Sequence, residues 1–320
     1  MEKRCLLIMP LTFYSMAGQL QLALNSCGYE VTLCNDRYPD NLLTKVLWKT
    51  GVVGMLYQKT YSYIEKHFLQ DKQYDICILI KGYGVTEDLI TRIYKNCTQI
   101  VGYNFDSFAF HPLSLSWYRL VDHFYTFDYN DALEYDLKIV ELYAAIETTE
   151  VLTERFYDIS VIQKIHSDRL SYTCKVLSAL QPERSYIYLH ESNCVTMILN
   201  FLRHPVAYLK LRKYIHFKPL SYTGYIEVLR RSEFTLDFAH PRQSGITMRC
   251  FEAVSCGTKI ITNNKHVFNS SCFNRENTIV AVGFKDIGGK IIQEYRKLLG
   301  SHTVISQRNT TDFIKEIIGI

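Results

Sequence analysis

The sequence contains no apolar run that reaches the about 20 residues needed to cross a bilayer, no internal repeat and no low-complexity segment. A transmembrane or repeat protein is therefore not predicted. The opening stretch Met1–Pro10 has the pattern of a buried strand, with no signal-peptide cleavage site behind it. We therefore expect a cytoplasmic protein.

Cysteine spacing and net charge exclude two further classes. The 10 cysteines include no CxxC pair, so neither a zinc site nor a redox dithiol is indicated, and most are expected to be buried small side chains. The net charge of +4 is mild and permits an anionic partner without requiring one. The basic residues form no strong footprint, so a nucleic-acid partner is not predicted.

The elements that are present alternate between strand and helix. With 320 residues, 48% of them hydrophobic, the chain can hold two α/β domains, each with its own core. We predict an α/β fold of two Rossmann-like, doubly wound domains that face a central cleft, with the loops at the carboxyl ends of the strands turned to the ligand. The predicted domains are residues 1–150 and 151–309, followed by a helical segment at 310–320.

One stretch, residues 233–264, predicts a ligand site because it has the order strand, loop, helix, strand. Its helical spacing runs over Ile246–Cys256. Gly245 stands at the predicted helix start, where its backbone can approach a ligand closely, and the Thr247 hydroxyl can cap the first turn. The free N–H groups and the dipole of such a helix start attract an anion such as a diphosphate.

Two side chains extend this predicted anion site. Arg249, in the first helical turn, can add a fork of donors to a phosphate, and Glu252 lies one turn on, within reach of a ribose diol. An ordinary βαβ unit with a polar first turn explains the spacing equally well.

The identities of the residues in this stretch are more specific than their spacing. QSGITMRCFEAVSCGTKIITNN resembles the donor-binding helix of GT-B glycosyltransferases, most closely a bacterial group of lipopolysaccharide or capsule synthesis related to the spore-maturation glycosyltransferases. The similarity continues through MPLTFYS, LIKGYGVT, YNFDS, DISVIQKIHSDR, LSYTGYIEVLRRS and FNRENTIV, and so spans nearly the whole chain.

The resemblance implies a GT-B fold in which the second domain binds a nucleotide-sugar donor and the first domain binds the acceptor. It further implies that residues 310–320 form a helix that crosses back to the first domain. GT-B enzymes usually work without a bound metal, so no metal and no cofactor are expected; Gly245, Ile246, Thr247, Arg249 and Glu252 become donor-binding candidates. The motifs are specific for fold and donor class and weak for the sugar.

A second loop joins the predicted donor site. His166 and Arg169, which follow the first strand of the second domain, can contact a diphosphate, and Ser167 can donate to it. Alternatively, Ser167 and Asp168 only cap the helix that follows.

In the first domain, the loops after the strands supply the acceptor-side candidates Thr12, Tyr14, Lys81 and Tyr83. Asp106 follows the fourth strand and is the candidate general base, although the same carboxylate can equally cap the next segment.

The stereochemistry follows from one departure from the family pattern. Many retaining members place a second acid eight residues before the ribose glutamate, and this chain has Ser244 there. The departure favours inversion, a direct displacement that needs a base such as Asp106.

The predicted function is therefore glycosyl transfer to a glycan or lipid-linked acceptor in bacterial surface polysaccharide synthesis. Basic and aromatic residues alternate over 203–218 and along 42–69, which suits peripheral contact with the inner face of the membrane. A solvated or sheet-covering face explains both stretches as well. Two other functions remain open: a nucleotide-sugar epimerase, which needs no acceptor, and a non-catalytic nucleotide- or glycan-binding partner.

Overall fold

The computed structural model describes residues 3–11, 14–41, 44, 47–48, 54–146, 154–301 and 307–320. Its contacts divide the chain into two units. Unit 1 comprises Met1–Ala145 together with Asn309–Ile320, and unit 2 comprises Ile146–Arg308. In the described part of the chain, no helix is long and apolar enough to span a membrane.

Unit 1 is built on a six-stranded parallel sheet with strand order β2-β1-β3-β4-β5-β6. Its strands are β1 (Lys3–Met9), β2 (Tyr29–Asn35), β3 (Tyr74–Ile80), β4 (Cys97–Asn104), β5 (His123–Thr126) and β6 (Lys138–Ile139). The described helices between them are α1 (Tyr14–Ser26), α2 (Gly54–Ile64), which continues as a π-helical turn over Glu65–Leu69, α3 (Glu87–Tyr94) and α4 (Tyr129–Tyr135).

Unit 2 has a second six-stranded parallel sheet, with strand order β12-β11-β10-β7-β8-β9. Its strands are β7 (Tyr157–Lys164), β8 (Ser185–His190), β9 (Ile215–His216), β10 (Ser232–Asp237), β11 (Lys259–Thr262) and β12 (Thr278–Val280). Its helices are α5 (Arg169–Leu180), α6 (Cys194–Arg203), α7 (Pro205–Leu211), α8 (Tyr222–Arg230), α9 (Met248–Ser255) and α10 (Gly289–Leu298).

The last helix, α11 (Thr310–Ile318), belongs to unit 1, where it packs on α1. Its Phe313 is fully buried and meets the Tyr103 ring edge-on, with the centroids 4.9 Å apart. The structure thus separates the units at Ala145, five residues before the predicted boundary, and assigns the end of the chain to unit 1.

Each sheet is flanked by helices, so its central strands are largely buried. In β1 the run Cys5–Met9 is completely buried, and in unit 2 the strands β7 and β10 bury Ile159, Val161 and Phe234 in one hydrophobic core. Helix α3 is capped by Thr86, whose hydroxyl accepts a hydrogen bond from the Leu89 N–H at 3.3 Å. The predicted α/β class with two Rossmann-like, doubly wound domains is confirmed.

The strand orders define where each sheet can bind a ligand. A doubly wound sheet opens a crevice where the direction of winding reverses, outside the carboxyl ends of the two strands concerned. In unit 1 the reversal lies between β1 and β3, and in unit 2 it lies between β7 and β10. The loops after β1 and β3 therefore edge the crevice of unit 1, and the loops after β7 and β10 edge that of unit 2.

Candidate functional site

The loop after β7 carries the first group of predicted site residues. Ser167 has a left-handed backbone with φ of 51°, and its hydroxyl is 3.1 Å from His166 Nδ1. Asp168 occupies the N-cap position of α5, but its side chain makes no capping hydrogen bond and lies 3.6 Å from His204 Nε2 instead. Capping by Asp168 therefore does not explain this loop. Strained backbone of this kind recurs at ligand sites.

Arg169 joins the two strands at the winding reversal. Its guanidinium donates to the Phe238 carbonyl at 2.8 Å and to the Lys164 carbonyl at 3.2 Å, so it holds the ends of β10 and β7 together. The side chain is buried, and its Nε has no hydrogen-bond partner. Burial and the charge of Arg249 lower the pKa of Arg169 to about 9, which Asp237 partly opposes. Arg169 supplies positive charge from below the crevice.

The helix start after β10 differs from the prediction. Helix α9 begins at Met248, two residues after the predicted start, because Thr247 is extended with ψ of 151°. The predicted capping by its hydroxyl is wrong: the side chain makes no capping hydrogen bond, and the hydroxyl donates to Asp237 Oδ1 at 2.9 Å. Gly245 and Ile246 lie buried in the preceding loop, where the Gly245 carbonyl accepts from Asn264 Nδ2 at 2.9 Å.

Arg249 and Glu252, one turn apart on α9, both line a cavity of about 320 Å³ in unit 2. This volume is at the lower end of the range of small-molecule sites. The lining also includes Lys164 from the end of β7, Tyr188 and His190 from β8, and Tyr222 from the start of α8. The structure therefore brings the two predicted helix residues together with the carboxyl ends of two neighbouring strands.

Glu252 is a buried carboxylate that faces this cavity. Its Oε1 accepts a hydrogen bond from the Tyr222 hydroxyl at 2.8 Å. Burial raises the pKa of Glu252, against the opposing effects of the Tyr222 and Tyr225 hydroxyls and of Arg249. A buried carboxylate is costly unless its oxygens are hydrogen-bonded, so a hydroxyl-rich ligand such as a ribose diol would satisfy it.

Positive charge dominates the same crevice. Burial, followed by the charges of Arg169 and of its neighbours His240, Arg249 and Lys164, lowers the pKa of His166 to about 3. His166 is therefore neutral near pH 7 and contributes a ring nitrogen rather than a charge. Nη1 of Arg249 is buried without a hydrogen-bond partner. Crowded cations with unused donors are the arrangement that an anionic ligand stabilises.

Three residues of this site were not predicted. Tyr222 could not be recognised from the sequence, because it begins α8 and lies 30 positions before Glu252, its hydrogen-bond partner on α9. His240, whose ring centroid lies 6.1 Å from that of His166, could not be recognised either. Asp237 carried the same signal that selected Asp106, an acid at the carboxyl end of a strand, and it holds Thr247 and Thr262 in place.

In unit 1 the predicted residues Lys81 and Asp106 form one ion pair. Lys81 Nζ lies 2.5 Å from Asp106 Oδ2, and Lys81 adopts a left-handed backbone with φ of 65° after β3. The candidate base thus already accepts from an ammonium group, with which an acceptor hydroxyl must compete. Thr12 lies outside the described residues, as does the side chain of Tyr14, whose backbone begins α1.

Tyr83 stands between charged neighbours that the sequence did not single out. Its backbone N–H donates to Asp36 Oδ2 at 3.0 Å, Arg37 lies over its ring at 4.7 Å, and the His111 ring lies 4.4 Å away. Burial raises the pKa of Asp36 to about 7. Burial and the charge of Lys81 lower the pKa of His111 to about 4. Near pH 7, His111 is therefore neutral, and Asp36 is close to the midpoint of its titration.

Comparisons with known proteins agree with this geometry. Residues 185–299, which lie within unit 2, match the model of the glycosyl transferase-like family. The whole chain is similar in structure to the lipopolysaccharide outer core galactosyltransferase WaaB, with 9% identity, a TM-score of 0.59 and 99% of this chain and 94% of that one covered. No curated protein sequence matches the chain significantly.

Two further solved structures share the fold. Anabaena Alr3699/HepE, in complex with UDP and glucose, is 9% identical with a TM-score of 0.59, and the match covers 99% of this chain and 96% of that one. The Methanocaldococcus jannaschii UDP-GlcNAc 2-epimerase, in complex with UDP-GlcNAc and UDP, is 11% identical with a TM-score of 0.51 and 99% coverage of both chains. At these identities the likeness is one of fold.

The family match in unit 2 and the fold of the whole chain define the class of this protein: it is a glycosyltransferase of the GT-B fold. The predicted enzyme class is confirmed.

Proposed function

We propose that the chain transfers a sugar from a nucleotide-sugar donor, bound in unit 2, to a glycan or lipid-linked acceptor in bacterial surface polysaccharide synthesis. The observation that carries the proposal is the cavity at the carboxyl ends of β7 and β8, which Arg249 and Glu252 line from positions one helical turn apart. WaaB, which acts on the lipopolysaccharide outer core, and HepE, which binds UDP and glucose, support the pathway and the donor class.

The charges suit a leaving diphosphate. Lys164 and Arg249 face the cavity, with Arg169 buried beneath it, and their positive charge stabilises the negative charge that grows as the sugar departs. This charge comes from side chains, so we propose a reaction without a bound metal. Glu252 accepts hydrogen bonds from the ribose, and His166, neutral near pH 7, donates or accepts at the diphosphate.

On the acceptor side, we propose inversion with Asp106 as the general base. Ser244 occupies the position of the second acid of many retaining relatives, which supports a direct displacement. In this mechanism the Asp106 carboxylate takes the acceptor proton, and Lys81, its ion-pair partner, orients the carboxylate. Thr12, Tyr14 and Tyr83 remain the proposed acceptor contacts.

Thermal unfolding with UDP, ADP, GDP and the corresponding nucleotide sugars tests the donor site. A ligand at a hundred times its Kd stabilises the protein by about 2.7 kcal/mol, a readily measured rise in Tm. We expect one nucleotide class to raise the Tm of the wild type and of the Glu227→Ala control, whose glutamate pairs with Arg231 at the surface. The Glu252→Ala variant should show no such shift. If all three proteins respond alike, or none responds, the donor-site assignment is wrong.

The fold likeness to the epimerase favours one second candidate, isomerisation of a nucleotide sugar. Product formation from the donor alone would establish that reaction, whereas transfer requires an acceptor. Nucleotide binding with neither reaction would establish a non-catalytic partner.

A further inference from the structure

Helices α6 and α7 in unit 2 expose aliphatic side chains that ordinarily face a core. On α6, Val195, Leu199 and Leu202 are 68%, 59% and 69% exposed, and Ile198 is also exposed. Their spacing is that of a single helix face. Helix α7 continues the face with Val206 and Leu209. We call these six residues the outer apolar face; contiguous exposed apolar surface of this kind marks an interaction site.

The surroundings of the outer apolar face are basic. From Cys194 to Lys218 the sequence contains no aspartate or glutamate. The cations of the same stretch are exposed at its C-terminal side: Arg203, Lys210, Arg212, Lys213 and Lys218. This stretch alone carries more positive charge than the net +4 of the whole chain. The partner of this surface is therefore expected to be negatively charged as well as apolar.

The opposite face of both helices is anchored to unit 2. Asn200 Nδ2 donates to both carboxylate oxygens of Glu191, at 3.0 and 3.2 Å. Ala207, Tyr208 and Leu211 are part of the hydrophobic core of unit 2, and Met197 packs against it. The outward orientation of the apolar residues is thus built into the fold, because turning them inward would break these contacts.

We propose that the outer apolar face and its basic residues dock this enzyme on the anionic surface of a lipid bilayer. The aliphatic side chains enter the boundary between headgroups and acyl chains, while the Lys and Arg side chains reach the phosphate groups. The inference deepens the proposed function and rests on it in one respect, since a lipid-linked acceptor is met at a bilayer surface. Vesicle binding itself needs no nucleotide.

Charge and composition favour a lipid over the other occupants. A symmetric dimer would place this basic stretch against its own copy, which like charges oppose. The centres of protein interfaces are enriched in aromatic residues, Met and Arg, and hot spots rarely involve Leu or Val. The outer apolar face contains only Val, Leu and Ile, which suits acyl chains.

Cosedimentation of the full chain with vesicles tests the proposal. The probes are vesicles of phosphatidylcholine alone and vesicles with about 30% phosphatidylglycerol, which carry a negative surface potential. We expect binding to the anionic vesicles only, weakening as NaCl rises from about 0.05 to about 0.5 M because salt screens the attraction. Each Lys or Arg near such a surface strengthens binding roughly fivefold, so Lys210→Ala/Arg212→Ala/Lys213→Ala should bind about a hundredfold less tightly.

Matched controls separate the surface from general charge and polarity. The control Lys290→Ala/Arg296→Ala/Lys297→Ala removes three exposed cations from α10 and should bind within about threefold of the wild type, since surface charges away from the bilayer are screened. Leu199→Asp/Leu202→Asp should abolish vesicle binding, whereas Leu133→Asp, at a residue 88% exposed in unit 1, should not. All substituted residues are exposed, so the Tm of each variant should match the wild type.

Three outcomes would overturn the proposal. In the first, the wild type does not bind anionic vesicles. In the second, the α10 control loses as much vesicle binding as the variants of the outer apolar face and its basic residues (the patch variants). In the third, a patch variant changes the oligomeric state of the protein but not its vesicle binding. The last would identify a self-association interface. Unchanged nucleotide-induced Tm shifts in the patch variants would show that the donor site is intact, so a failure here is distinguishable from a failure of the proposed function.

Discussion

The two crevices of this glycosyltransferase have the same architectural origin and different electrostatics. In both units, loops follow the carboxyl ends of parallel strands beside a winding reversal. In unit 2, the buried Arg169 and the cavity-lining Arg249 each have a guanidinium nitrogen without a hydrogen-bond partner. In unit 1, Lys81 is already paired with Asp106, at 2.5 Å.

The difference shows that topology selects the position of a site and side chains select its ligand. Unused cationic donors attract a diphosphate, while a paired lysine and aspartate suit a neutral sugar hydroxyl whose proton must be removed. Near pH 7, burial reduces the charge on Asp36, whose pKa rises to about 7, and keeps His111 neutral, because its pKa falls to about 4.

The largest effect is expected from Asp106→Asn, which removes the proposed base from the crevice of unit 1. Proton transfer by a positioned side chain is worth about 10²–10⁴ in rate, so kcat should fall by that factor. The affinity for nucleotide should not change, because the proposed donor contacts are in unit 2. Steady-state kinetics together with calorimetric titration of nucleotide measure both quantities.

The control for this change is Asp71→Asn, at an exposed turn residue whose φ of 56° asparagine tolerates. It should retain full activity. An Asp106→Asn variant with normal kcat would assign the base to another group, and weakened nucleotide binding would contradict the division of roles between the units.

Next in size is the pH dependence of stability due to Asp36. Its pKa is about 7 in the folded protein, well above its ordinary value near 3.8, because the carboxyl is buried. Between these values the unfolded chain loses a proton that the folded protein keeps, so this group lowers the free energy of unfolding as pH rises from about 4 to about 7. The Asp36→Asn variant lacks that decline and should gain up to about 4 kcal/mol on the wild type across this interval.

Urea unfolding at several pH values measures this gain. In Asp71→Asn, the exposed control, the difference from the wild type should stay constant with pH. A constant difference in Asp36→Asn would mean that Asp36 is ionised in the folded protein, and the crevice of unit 1 would then carry a buried negative charge.

The smallest effect is expected from Arg249→Gln, which keeps a donor but removes a charge from the crevice of unit 2. Charge-assisted hydrogen bonds contribute about 1.5–3 kcal/mol, so the Kd for a nucleoside diphosphate should rise roughly 10- to 100-fold. Arg296→Gln, on the outer part of α10, should leave the Kd unchanged.

The same variant has a readout without ligand. Arg249 is one of the charges that lower the pKa of His166 to about 3, so Arg249→Gln should move that pKa upward in an NMR titration. If Arg249→Gln leaves both the pKa of His166 and the Kd unchanged, Arg249 does not supply positive charge to the crevice of unit 2, and the proposed electrostatic difference between the two crevices is wrong.

Local patterns in the sequence were enough for much of this description. The apolar run before Pro10 became β1, and the residue identities over 243–264 indicated the fold and the donor class. Arg249 and Glu252 were predicted as a pair because two positions on one short helix have a spacing that the chain itself dictates. Such features depend on neighbours within a few residues, which is the range over which sequence pattern acts.

The tertiary structure alone decided the contacts between distant segments. It directed the Thr247 hydroxyl to Asp237 rather than to the helix, placed Tyr222 on Glu252, and paired Lys81 with Asp106. It also turned the aliphatic face of α6 outward. The tertiary structure also set the pKa values of His166, Asp36 and His111, because burial and surrounding charge come from the whole fold.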